Sequence, residues 1–263
     1  MTFRFPLAAQ NYTFQTILSC NNLTAFPCAM NGSGVVVGVV HNIYGPAAGM
    51  IYSAGQCRTY PKAYFYGITD NGSLLVTFPP SPTMYPLESG GKILGPLPNY
   101  PGTGGAVYCC MDTLTGTLAG NYWPGPEAGF FYKGGTFASL YNETGGNWLV
   151  LAAFSNTGIA VGTTSTTGFV YQNRKITSLQ FPGGKWTNFN GINDNGLVVG
   201  SYTNVTTGAI NVCTYDIATG AWTDLNFPYP YDNMTPVGIS STGVIALQYS
   251  YSGGMVIATP SGN

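Results

Sequence analysis

One short pattern of apolar and polar positions recurs along the chain: a small residue, a large apolar residue, a small polar residue, a turn ending in Gly, then alternating aliphatics. The clearest copy is Gly191-Ile192-Asn193-Asp194-Asn195-Gly196-Leu197-Val198-Val199-Gly200. Others start at Ala29-Met30-Asn31, Gly67-Ile68-Thr69, Cys110-Met111-Asp112, Ala153-Phe154-Ser155 and Gly238-Ile239-Ser240, the third with one inserted residue. The turn glycines Gly34, Gly72, Gly116, Gly158, Gly196 and Gly243 are 38, 44, 42, 38 and 47 residues apart, the span of one four-stranded propeller blade. Asn, Asp, Ser, Thr and Gly suit a tight hairpin because Asn and Gly accept positive φ cheaply. Two residues past each Gly, Val36, Leu74, Leu118, Ala160, Val198 and Ile245 share the buried face of a period-2 strand. The large apolar set is expected to fill the space between blades, and the small set before it lets innermost strands crowd around an axis.

Third and fourth strands follow in each unit, as in Gly129 to Tyr132 then Thr136 to Leu140, and Asn211 to Asp216 then Ala221 to Leu225. The last unit stops after its third strand, Met255 to Thr259, while residues 12–18 near the N-terminus resemble a fourth strand with no unit of their own. The pattern therefore predicts an all-β, six-bladed β-propeller of four-stranded blades, closed by the N-terminal strand completing the last blade. One domain spans 1–263, with blades near 24–60, 61–97, 105–140, 149–180, 188–226, and 235–259 plus 12–18; the second, around Phe78 to Leu94, fits the pattern poorly.

These copies resemble the HAF-repeat extracellular protein family, whose units read roughly Ile-Asn-x-x-Gly-x-Val-Val-Gly and then a small-Phe-apolar-aromatic strand. Gly168-Phe169-Val170-Tyr171 and Gly129-Phe130-Phe131-Tyr132 match the second motif, whereas the His of the family's name is missing from every copy. The resemblance covers nearly the whole chain and implies a secreted or surface-exposed β-propeller. It carries no established chemistry.

Composition narrows the partners. Only 6% of the 263 residues are charged, against roughly 25% in ordinary domains, and the net charge is −1. Nucleic acid and anionic membrane surfaces need clustered Lys and Arg, so neither is expected. No apolar run approaches the roughly 20 residues of a membrane helix, so no membrane insertion is expected. Six cysteines lack CxxC spacing, the single His completes no zinc cluster, and Asp70-Asn71-Gly72 and Asp194-Asn195-Gly196 lack calcium-loop spacing; no metal or cofactor is expected. Cys20 and Cys28 are the disulfide candidates, and the adjacent Cys109 and Cys110 would need an unusual vicinal bond. Sequons at Asn11, Asn22, Asn142, Asn204 and Asn233 are glycosylation candidates, whereas those at Asn31 and Asn71 fall in the repeat turn. Together with the cysteines they point to an extracellular or cell-surface setting.

The loops joining blades are rich in aromatics. Tyr44, Tyr64, Tyr100, Tyr122, Trp123, Trp148, Trp186, Tyr229 and Tyr231 are candidate ligand contacts on one face, suited to sugar rings. The expected function is accordingly a non-catalytic extracellular protein recognising a glycan. With so little charge to keep copies apart, self-assembly into a filament or surface layer is the alternative. A hydrolase or lyase using His41 with Glu127, or with Asp232, is the second alternative, as these residues fall on the same face.

Overall fold

The computed structural model describes residues 12–42, 44–81, 83–88, 91–103, 105–112, 115–123, 128–141, 148–225, 227, 234–249 and 253–261; for Gly105 and Trp123 only the backbone is described. Six antiparallel sheets form a six-bladed β-propeller. The first strand of each blade touches the first strand of the next, round to the last blade against the first. These first strands are Leu23–Met30, Tyr64–Ile68, Gly105–Met111, Leu149–Phe154, Gly184–Ile192 and Met234–Ile239, in blades 1 to 6.

Blades 3, 4 and 5 each have four strands. Blade 1 gains a fifth, the short strand Ser19–Cys20 beside Leu23–Met30. Blade 2 keeps three, ending at Met84–Leu87, after which an isolated bridge joins Leu87 to Ile93 and the Leu94 and Leu97 amides donate to the Pro86 and Met84 carbonyls. Blade 6 is completed by Tyr12–Ile17, which runs antiparallel to Met255–Pro260 from Tyr12 opposite Pro260 to Ile17 opposite Met255. This closure removes the free edge that a terminal sheet would otherwise present.

The repeat turn explains why its third position is small and polar. Asn31, Thr69, Ser155, Asn193 and Ser240 are buried, and each accepts a side-chain hydrogen bond from the amide four residues on. The turn glycines lie between φ 68° and 83°, a region costly for any residue with a Cβ. The six register residues two positions later are all buried.

The third strands of blades 1, 3 and 4 share a second packing feature. A Cβ on Gly49, Gly129 or Gly168 would fall within 3 Å of Phe65, Leu151 or Phe189, side chains on the first strand of the following blade. Small residues there let neighbouring blades interlock. The large apolar set behaves as expected only in part: Met30, Ile68, Phe154, Ile192 and Ile239 pack on blade clusters and also border the narrow end of the central channel.

The expected Cys20–Cys28 bridge is not formed. Cys20 is bonded to Cys57, 37 residues away, on the outer strand Gln56–Pro61 of blade 1. Cys28 lies instead where the first strand bulges towards the channel. The bond ties the segment leaving the closing strand to the far side of blade 1, and constraining a loop of that length contributes about 4 kcal/mol.

Candidate functional site

Every first strand carries a β-bulge at the same place, with register shifts between Pro27 and Ala29, Phe65 and Gly67, Tyr108 and Cys110, Leu151 and Ala153, Phe189 and Gly191, and Pro236 and Gly238. The skipped residues are Cys28, Tyr66, Cys109, Ala152, Asn190 and Val237. A bulge re-aims a side chain out of the ladder, and all six border one axial cavity of about 120 Å³. The Asn190 Oδ1 atom in this ring is buried without a hydrogen-bond partner among the described residues. Burial pushes the Cys28 thiol up to about 11, opposed by a hydrogen bond from the backbone of Val39.

At the turn end the channel is closed by a cross-axis network. The Asn156 Nδ2 donates to both Asp70 and Asp194, at 2.9 Å each, and Asp194 also accepts from the Asn156 amide at 2.8 Å. Asp70 further accepts from the Gly32 amide, and the Ser241 hydroxyl donates to the Gly32 carbonyl. These carboxylates hold blades together, each of their four oxygens accepting a hydrogen bond from an amide.

The opposite, loop-bearing end is open at blade 2. A pocket of about 360 Å³ lies between blades 2 and 3, and Tyr66 lines both this pocket and the axial cavity. Its floor and walls are Tyr64, Thr77, Pro79, Pro80, Met84 and Val107, with Ser81 at the side. Among the described residues no charged one lines it. The Tyr64 hydroxyl is engaged, donating to the Pro46 carbonyl at 2.9 Å, and Ser81 Oγ accepts from the Thr83 amide while keeping its own proton to donate. The Tyr66 hydroxyl makes no hydrogen bond among the described residues. Size, apolar walls and a few convergent hydroxyls are the ordinary features of a small-molecule site.

The residues expected to form an aromatic platform do not gather here. Tyr100 stacks on Tyr122 with ring centroids 4.0 Å apart and planes 6° apart, and the pair packs on Phe130 inside blade 3. Phe181 stacks on Tyr202 in blade 5 in the same way. These loop aromatics seal blade ends, which buries more apolar surface than facing water would. Tyr44 is 90% exposed and stands alone, Trp148 is partly exposed, and Trp186 lies beneath the Lys185 ammonium at 4.2 Å. Of the expected contacts only Tyr64 reaches the pocket. The Trp123 side chain, Tyr229 and Tyr231 lie outside the described residues.

His41 packs at a tilt on Phe26, ring centroids 4.2 Å apart, and burial lowers its pKa from the ordinary histidine value. Its expected partners Glu127 and Asp232 are outside the described residues, as are Asn11, Asn142 and Asn233. Asn22 forms a two-residue hairpin with Asn21, both at positive φ, and the Asn204 side-chain Oδ1 accepts from the amides of Thr206 and Thr207. Sequence reasoning passed over Tyr66, Thr77, Ser81, Met84 and Val107. The available signal was the lapse of the repeat in blade 2.

No family model matches the sequence, and no curated protein matches it. In structure the chain is similar to a catalytically inactive virginiamycin B lyase from Staphylococcus aureus with quinupristin, at TM-score 0.56 and 12% identity over 95% of this chain and 100% of that one. It is similar to YCF48 bound to D1 peptide, at TM-score 0.58 and 14% identity, covering 97% and 100% of the two chains. A gluconolactonase from Xanthomonas campestris aligns at TM-score 0.60 and 12% identity over 97% and 92%. At such identities the likeness shows the propeller fold.

The expectation of a non-catalytic, glycan-recognising protein is corrected. The structural neighbours include a lyase and a lactonase, so this architecture gives no ground for setting catalysis aside. Of the loop aromatics that suggested a sugar platform, Tyr100 and Tyr122 are spent on a blade end. Nothing observed favours the self-assembling alternative.

Proposed function

We propose that this chain is a catalytic propeller that holds a small uncharged ester or lactone in the pocket at Tyr66. The observation that carries the proposal is the pocket itself: about 360 Å³ beside the axis on the loop face, apolar, lined by no charged side chain among the described residues, with the Tyr66 hydroxyl making no hydrogen bond among them. An uncharged lining disfavours ionic substrates, whose desolvation nothing there would offset. The Tyr66 hydroxyl donates to the carbonyl or leaving oxygen, with Ser81 and Thr77 beside it to orient the substrate. The gluconolactonase with which the chain shares its fold supports an ester-opening reaction as the kind of chemistry. An extracellular setting, implied by the HAF-like repeats, belongs to the same proposal, and the Cys20–Cys57 bond supports it because disulfides persist in oxidising compartments.

The test is turnover of a panel of uncharged lactones and aryl esters by wild type and Tyr66→Phe. The variant is expected to lose at least about 100-fold in kcat with an unchanged circular dichroism spectrum. Full activity in Tyr66→Phe would remove Tyr66 from the reaction, and a panel that is neither bound nor turned over at millimolar concentration would remove the proposal.

A further inference from the structure

The residue that follows each bulge is Ala29, Gly67, Cys110, Ala153, Gly191 or Gly238, so five of six are Gly or Ala. The reason is crowding at the axis. A Cβ on Gly191 would lie 2.9 Å from the Gly238 backbone, one on Gly238 would lie 2.7 Å from the Met30 Cβ, and one on Gly67 would lie 2.9 Å from the Cys109 carbonyl oxygen. Blade 3 alone places a sulfur at this position. Next to it the bulge residue is also a cysteine, and the two Sγ atoms are 2.8 Å apart, closer than unbonded sulfurs rest. Both side chains are half-buried and border the axial cavity.

We infer that Cys109 and Cys110 are a redox-active vicinal pair that closes to a disulfide by exchange with a low-molecular-weight disulfide and reopens with a dithiol. Closing replaces a crowded contact by a bond of about 2.05 Å. The bulge makes it feasible: Cys109 is the residue that the ladder with Leu118–Trp123 skips, so its peptide can turn as an eight-membered ring requires without breaking a pair in that ladder. In the first step the Cys109 thiolate attacks one sulfur of the small disulfide, forming a mixed disulfide and releasing one thiolate. In the second, the Cys110 thiolate attacks the Cys109 sulfur and displaces the other half as a second thiolate. The protein loses two thiol protons and two electrons, and the reagent becomes two thiols. Its contact with Cys109, together with burial, holds the Cys110 thiol well above the ordinary cysteine range, and because the thiolate is the attacking form, closure becomes faster as pH rises.

The experiment treats the intact protein with oxidised glutathione at pH 8, blocks remaining thiols with N-ethylmaleimide, and reads peptide masses without reduction. The expected result is loss of two hydrogens on the peptide carrying Cys109 and Cys110, with neither alkylated, and recovery of both sites after brief dithiothreitol while Cys20–Cys57 stays closed. Cys110→Ala, which installs the residue blades 1 and 4 already have, is expected to stop at a stable glutathione adduct on Cys109. Two alkylated cysteines after oxidation, or a glutathione adduct that persists in wild type, would overturn the inference whether or not the variant folds.

Discussion

Blades 5 and 2 start from the same repeat and end differently. Blade 5 keeps most features: Asn193 caps the turn and reaches across to the Ser240 carbonyl, Gly200 lies beneath Phe189, and Phe181 stacked on Tyr202 seals the loop end, while Val212 replaces the third-strand glycine. Blade 2 keeps the turn but not the rest. Val76 stands where blades 1, 3, 4 and 5 have Gly38, Gly120, Gly162 and Gly200. Met84 occupies the third-strand place of Gly49, Gly129 and Gly168, the place that receives the next blade. Phe78 turns to Tyr85 instead of sealing the end. Beside these replacements in blade 2 a pocket stands open, whereas blade 6 holds Leu247 and Met255 at the same two places with both fully buried. Repeat positions thus report structure, and the departure in blade 2 coincides with the candidate site.

Breaking the regular side has the largest expected effect. A Cβ on Gly200 would run into the Asn188 carbonyl and lie 2.9 Å from the Phe189 ring, both parts of the blade's own first strand. Gly200→Val is expected to cost about 3 kcal/mol or more, read from the urea midpoint. A valine already stands at the equivalent place in blade 2, so an effect below about 1 kcal/mol would show that the two blades do not differ as described.

Alkaline titration probes the axis between them. The folded pKa of Cys28 is raised to about 11 and that of Tyr12 to about 12, both by burial. A raised folded pKa means that the unfolded chain releases its proton first, so the stabilisation is complete below the unfolded value and is lost as pH climbs. Stability is expected to fall from about pH 9 to 11, by up to about 2–3 kcal/mol from Cys28. Cys28→Ala should flatten the lower part of that decline; an unchanged profile would place the loss elsewhere.

The smallest expected change in stability comes from the irregular side. Val107 is 42% exposed at the rim of the pocket. Val107→Trp is expected to move stability by less than about 0.5 kcal/mol while abolishing ligand binding. Retained binding would mean that the pocket is not where the ligand goes.

Much of this architecture is legible in the sequence, because the sheet imposes its requirements at fixed positions. Gly34 to Gly243 need positive φ, Asn31 and Asn193 need a carbonyl for the turn amide, and Val36 to Ile245 need an apolar side chain. The closing strand was equally visible, as a fourth strand without its own blade. The site was not. Cys28, Tyr66, Cys109, Ala152, Asn190 and Val237 share a place but no chemistry, since the bulge constrains their backbone and leaves the side chain free. Tyr100 and His41 misled for the converse reason: an aromatic in a loop reads as exposed, and only the fold reveals the Tyr122 or Phe26 ring that covers it. The Cys20 partner was hidden too, because nothing in spacing reveals that the outer strand of blade 1 returns to the closing segment.

The central claim is that the lapse in blade 2 is a binding site. The seven methionines offer a direct measurement, since Met84 lines the pocket while Met50 and Met234 are buried in the regular blades. With ¹³C-methyl-labelled methionine, titration with uncharged lactones and esters is expected to shift the Met84 resonance and leave those of Met50 and Met234 in place. A panel that leaves Met84 unmoved, or that moves the methionines of the regular blades instead, would contradict the account.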